Sequence, residues 1–244
     1  MRSYLIVILA IICLALPIKS ETYVVCVGIS EYASPKVKNL RLPVKDAKDV
    51  AAFYRKATDN VTSLTGKDAT KSEILKCLRN QFDKASETDK IIFFFSGHGY
   101  PGGFCPYEMT CIEEGLSYKE VISIMAKSRA KGKFIFADAC NSGAIRQTGK
   151  KPAKPQTNDV LLFLSSRGSE YSIELKNDDN GMFTKFLLMG LKGGADNDRN
   201  RIVTAKELFL FVSENVKKRS GGRQHPVMWG KFDDNLKIVE YKRK

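Results

Sequence analysis

Two stretches decide how this chain reads: Lys90-Ile91-Ile92-Phe93-Phe94-Phe95-Ser96-Gly97-His98-Gly99, and Lys133-Phe134-Ile135-Phe136-Ala137-Asp138-Ala139-Cys140-Asn141-Ser142-Gly143. Each is an apolar, β-prone run that stops abruptly at small and polar residues. An apolar run without polar alternation reads as a strand buried on both faces, as in a parallel sheet. Thr22 to Ile29 (TYVVCVGI) and Val160 to Leu164 read the same way, and Val61 to Leu64 as a shorter strand. Between the runs lie helical patterns. Val44, Ala47, Val50, Ala51 and Tyr54 fall at helical spacing. Thr70 with Glu73, Ser117 with Glu120 and Thr204 with Glu207 form capping boxes that open three more helices. Phe183 to Leu191 reads as an apolar helix ended by Gly193-Gly194, and Leu236 to Val239 as an edge strand closing the sheet. Strands alternating with helices predict an α/β fold, with a mainly parallel sheet and helices on both faces.

Ligands of such sheets gather at the carboxyl ends of the strands. His98 and Cys140 each follow the end of a buried run, so two core strands would deliver them to the same edge. A thiolate is a good nucleophile, but a free thiol is only slightly ionised at neutral pH and needs a base beside it. The chain has two histidines, His98 and His225. His98 sits between glycines after a strand and is the better candidate base. His225 lies in the turn Gln224-His225-Pro226. The backbone N–H groups of Gly99 and Cys140 are candidate donors to an oxyanion, a contribution typically of a few kcal/mol per donor.

FFFSGHG followed by FIFADACNSG resembles the histidine and cysteine motifs of the caspase superfamily, in particular metacaspases and bacterial caspase-like peptidases. The resemblance starts near TYVVCVGISEY and runs on through LLFLSSRGSEYSIE and GMFTKFLLMGL to RQHPVMWG. It implies a caspase-like three-layer sandwich and a cysteine endopeptidase with His98 and Cys140 as catalytic dyad. Metacaspases usually carry a histidine directly after the cysteine, where this chain has Asn141. The resemblance further implies an acidic primary pocket for Arg or Lys, with Asp46, Ser96 and Asp138 at the matching positions. The physics agrees, since a desolvated guanidinium pairs best with a carboxylate. Caspases proper hold aspartate with arginines instead, and Arg41 is the candidate for that alternative. Ala144 to Asn158 (AIRQTGKKPAKPQTN) reads as an exposed linker, and its Arg146, Lys150, Lys151 and Lys154 are residues such a pocket would accept. Self-cleavage there is the expectation.

Residues 1–20 read as an export signal: Arg2, an apolar stretch from Leu5 to Leu16, then Pro17 and Ser20. A secreted or periplasmic peptidase domain over 21–244 follows, with no membrane span after signal removal and a monomeric state. The apolar stretch is short for a span, which needs roughly 20 residues. Removing Cys13 leaves Cys26, Cys77, Cys105, Cys111 and Cys140, an odd set that leaves a thiol unpaired. Cys105 and Cys111 are close enough in sequence to pair, and Cys26 reads as a buried small hydrophobe. Formal net charge is +13, but the Lys and Arg are scattered, which argues against a nucleic-acid surface. No cofactor is called for. Asp196 to Glu207 has the ligand spacing of a calcium loop, with Arg201 where such a loop wants glycine, so calcium stays an alternative there. Glu108, Glu113 and Glu114 are the acidic residues in the loop after the histidine. No spacing suggests zinc. Two other classes stand beside the peptidase: a catalytically inactive caspase-like scaffold, and a legumain- or clostripain-like peptidase of different specificity.

Overall fold

The structure is a computed structural model that describes residues 20–139, 157, 159–167, 178–231 and 233–241. Residues 1–19 of the expected export signal, Cys140 and nearly all of the 144–158 linker lie outside the described residues.

The apolar runs form a six-stranded sheet. Its strands are β1 (Thr22–Gly28), β2 (Val61–Thr65), β3 (Lys90–Ser96), β7 (Gly132–Asp138), β8 (Leu161–Leu164) and β10 (Val227–Trp229), in the order β10-β8-β7-β3-β1-β2. Every pairing is parallel except that of β10 with β8. Three short strands, β4 (Gly99–Tyr100), β5 (Gly103–Phe104) and β6 (Leu116–Ser117), make a small antiparallel sheet just past β3.

Alternate residues of each strand point to opposite faces, so a strand covered on both sides must be apolar throughout. Val25, Val27, Phe93, Phe95 and Ile135 pack on one face with helices α2 (Lys71–Phe82) and α3 (Tyr118–Lys127). Val24, Cys26, Ile92, Phe94, Phe134 and Phe136 pack on the other with α1 (Pro43–Tyr54), α4 (Met182–Met189) and α5 (Ala205–Arg219). This is the three-layer α/β sandwich expected from the sequence. Phe94 is fully buried in a central strand. Phe94→Ala is expected to lower unfolding free energy by about 3–5 kcal/mol, read from urea unfolding; a loss below about 1 kcal/mol would contradict this packing.

The capping boxes at Ser117 and Thr204 are formed in full, each hydroxyl accepting from a backbone N–H three residues on while the glutamate reaches back. At Thr70 the hydroxyl accepts from the Glu73 N–H. The expected edge strand at Leu236–Val239 is a correction. β11 (Lys237–Glu240) pairs antiparallel with β9 (Ile202–Thr204) in a separate two-stranded sheet, and the main sheet ends at β10. Only Ile238 of β11 is buried, too little apolar surface to hold a place in a sheet covered on both sides.

Candidate active site

β1, β3 and β7 run side by side in register, so Gly28, Ser96 and Asp138 end level with one another. Just beyond them the Gly97 N–H donates to the Asp138 carbonyl, at 3.2 Å. Gly97 has φ +155°, and a Cβ there would stand 2.9 Å from the Tyr32 hydroxyl oxygen. Geometry thus calls for a glycine at 97, directly before the histidine.

His98 is held from several sides. Its N–H donates to the Tyr32 hydroxyl at 2.7 Å, and its carbonyl accepts from the Cys105 N–H at 2.9 Å. The rings of Tyr32 and His98 lie 5.2 Å apart. Nε2 of His98 lies 2.6 Å from the carbonyl oxygen of Lys38. A carbonyl only accepts, which assigns the proton to Nε2 and leaves Nδ1 as the basic nitrogen of the neutral ring. His225 precedes β10, which pairs with β8, two strands from β7, whereas His98 follows β3, its direct neighbour. At about 4.8 Å per strand, His98 is the histidine nearer the chain that leads into Cys140.

Cys140 lies outside the described residues; the chain is described up to Ala139, which is buried at the end of β7. The Ala139 carbonyl accepts from the Ser165 hydroxyl at 3.2 Å, and Ser165 N–H donates to Ala137 at 2.9 Å. Gly99, the other candidate oxyanion donor, opens β4 opposite Phe104.

The described cysteines are all free: Cys26, Cys77, Cys105 and Cys111. Cys105 and Cys111, near enough in sequence to pair, therefore do not. Cys105 is packed into the core while Cys111 stands exposed. Burial pushes the Cys105 thiol up to about 12 and raises those of Cys26 and Cys77. Thiols so held are poor nucleophiles at neutral pH.

The three residues expected to line a primary pocket do come together. Ser96 donates its hydroxyl to Asp46 Oδ2 at 2.9 Å. Asp46 is 1% exposed and Asp138 6%. Both carboxylates meet the start of α4, a region that sequence reasoning did not assign to the site. Asp46 Oδ1 accepts from Gly181 N–H and from Asn180 Nδ2, each at 3.0 Å. Asp138 Oδ2 accepts from the Thr184 N–H at 3.1 Å and its hydroxyl at 2.9 Å. Burial, and next the charge of Asp138, push the Asp46 carboxyl up to about 7; the hydrogen bonds from Asn180, Ser96 and Gly181 oppose that rise. Arg41 is exposed and donates to the Asp178 carbonyl at 3.0 Å, on the segment that leads into Asn180 and Gly181.

Asp196, Asp198 and Glu207 can each bring one oxygen within 4.8 Å of the others. Arg201 adopts the φ of +70° that favours glycine. The same carboxylates serve the loop itself: Asp196 accepts from Arg201 N–H, Asp198 from Asn200, and Glu207 from Thr204. Glu108 accepts from the Lys71 N–H at the start of α2, and Glu114 from the Thr110 N–H within its own loop.

The family model of the caspase domain matches residues 22–236, and the chain belongs to that family, whose members are generally cysteine peptidases. A solved protein of Geobacter sulfurreducens superposes with TM-score 0.64 at 19% identity, covering 89% of this chain and 97% of its own. The pro-form of sf-caspase-1 superposes with TM-score 0.63 at 14% identity, covering 90% and 95%. Both likenesses are of fold. No curated protein matches the chain. As a peptidase domain, the chain is of a class that acts on proteins. Among the described residues no helix is long and apolar enough to cross a membrane.

Proposed function

We propose that this chain is a cysteine endopeptidase that cleaves after Arg or Lys, with Cys140 as nucleophile and His98 as general base. The observation that carries the reading is His98 at the end of β3, its Nε2 against the Lys38 carbonyl, beside the strand whose chain leads into Cys140. Nδ1 of His98 takes the thiol proton, and the Cys140 sulfur attacks the scissile carbonyl. The backbone N–H groups of Gly99 and Cys140 stabilise the oxyanion. His98 returns the proton to the leaving amine, and a water that it then deprotonates hydrolyses the thioester. Thiol, imidazole and amides supply this chemistry without a cofactor. The acidic cluster of Asp46, Ser96 and Asp138 supports a cationic side chain at the cleaved position.

The test is a panel of fluorogenic peptides ending in Arg, Lys, Asp or Asn, given to the protein from Glu21 and to Cys140→Ala. Cleavage after Arg or Lys that vanishes in the variant supports the reading. Cleavage after Asp or Asn keeps the nucleophile and removes the pocket. A folded, reduced protein that cleaves none of them would move the reading to a scaffold or to a zymogen awaiting another protease.

We also propose that the protein is exported, monomeric and cut within its own linker at Arg146, Lys150, Lys151 or Lys154. Signal cleavage after Ser20 would leave the Glu21 nitrogen, which donates to Asp89 at 2.7 Å, as an ammonium facing a carboxylate. N-terminal sequencing of protein incubated alone is expected to find linker cuts in wild type and none in Cys140→Ala. Equal cutting in both would assign it to another protease. Light scattering is expected to give the mass of a single chain.

A further inference from the structure

We propose that the start of α4 is a wall of the basic-residue pocket, and that Gly181 is the residue whose missing side chain keeps the pocket able to take a cation. The inference rests on the assignment of Asp46 and Asp138 to that pocket.

Helix α4 begins without a side-chain cap of its own. Its N-cap is Gly181, at φ −52° and ψ 145°. Any residue adopts those angles, and serine, threonine, aspartate or asparagine is preferred at an N-cap. Backbone freedom therefore does not explain the glycine. Space does. A Cβ at Gly181 would lie 2.3 Å from Asp138 Oδ2 and 3.0 Å from Asp46 Oδ2. Both carboxylates thus press against one Cα. They also do the capping: Asp138, from β7, takes the N–H of Thr184, which an N-cap side chain would ordinarily hold, and Asp46, from α1, takes the N–H of Gly181. Two buried anions repel each other, and the positive end of a helix set between them is a stabilising counterpart.

The consequence is selective. Any side chain at 181 must push one carboxylate away, breaking the paired acceptor that a guanidinium or ammonium needs. Asn180 has a related but separable part. Its Nδ2 donates to Asp46 Oδ1 at 3.0 Å and to Asp49 Oδ2 at 2.9 Å, so it favours the ionised form of Asp46. Among the described residues, the charged groups around Asp46 include Asp138 on β7 and, on its own helix, Lys45 and Asp49. The residues that touch it from β3 and α4 are Ser96, Asn180 and Gly181, none of which titrates.

The test uses benzamidine, a small amidinium, with binding followed by calorimetry on the chain from Glu21 between pH 5.5 and 8.5. Kinetics of an Arg peptide run alongside, and circular dichroism checks the fold. Wild type is expected to bind. Gly181→Ala is expected to lose at least tenfold in benzamidine affinity and in kcat/KM for the Arg peptide. Asn180→Ala keeps the test open if Gly181→Ala does not fold. It is expected to lose about tenfold near pH 6.5, as for one hydrogen bond to a charged group, and to recover to within threefold of wild type at pH 8.5. Merely structural damage would weaken binding equally at every pH. If wild type binds and both folded variants match it at all pH values, the role of α4 is overturned and the pocket stands. If wild type neither binds benzamidine nor cleaves the Arg peptide, the acidic pocket itself falls, and this inference with it.

Discussion

His98→Ala is expected to leave a folded protein whose kcat/KM for an Arg peptide is about 10³-fold below wild type, the range for removing a positioned general base. The side chain is half-exposed and lies past the end of β3, outside the packed strand faces. Its removal should therefore change the unfolding midpoint little while it changes the reaction greatly. Tyr32→Phe tests how much of the effect is positioning. That change keeps the ring 5.2 Å from the imidazole and removes only the hydroxyl that accepts from the His98 N–H. It also leaves Nε2 on the Lys38 carbonyl. A loss of about three- to tenfold, within the range of one hydrogen bond, is expected in single-turnover cleavage. A His98→Ala protein that retains more than a tenth of wild-type activity would hand the role of base to His225 or to no histidine at all.

The sheet and its carboxyl edge were legible because the apolar runs carry the information themselves. Phe93 to Phe95 and Phe134 to Phe136 have no polar alternation, so both faces had to be covered, and the runs end at matched points, Ser96 opposite Asp138. The caps were legible because they need only residues three apart. What was not legible depends on contacts that residue type does not encode. The partner of His98 Nε2 is a backbone carbonyl sixty residues earlier, and every residue has one. The reason for Gly181 is two carboxylates from other elements, brought to it only by folding. The edge strand was misassigned because Leu236–Val239 and Val227–Trp229 are both short and mostly apolar, and the choice between them lies in the tertiary pairing. Cys105 and Cys111 are near in sequence, but one is drawn into the core and the other is not.

Asp46→Asn should separate the pocket from the nucleophile. The folded protein favours the protonated form of Asp46, since its carboxyl is raised from 3.8 to about 7, by burial first and by Asp138 next. A group raised in this way contributes stability that is fully present below its unfolded value and is lost as pH rises through its folded value. Wild-type stability should therefore decline between about pH 4 and pH 7, and Asp46→Asn should lack that part of the decline. Substrate recognition runs the opposite way. A guanidinium needs the ionised pair, so wild-type kcat/KM for an Arg peptide, relative to the same peptide with a neutral residue at that position, should climb as pH passes 7. In Asp46→Asn that ratio should be about 100-fold lower at pH 8, as for one lost partner of a buried charge pair, and should no longer climb. Alkylation of Cys140 by iodoacetamide, which needs no cation, should proceed at a similar rate in both proteins. Thermal melts across pH and the two-peptide ratio check the two halves independently. An unchanged ratio with a flattened melt profile would leave Asp46 as the cap of α4 and nothing more. A lowered ratio with equal alkylation would mean that the buried pair selects the substrate while the strand-end thiol does the chemistry.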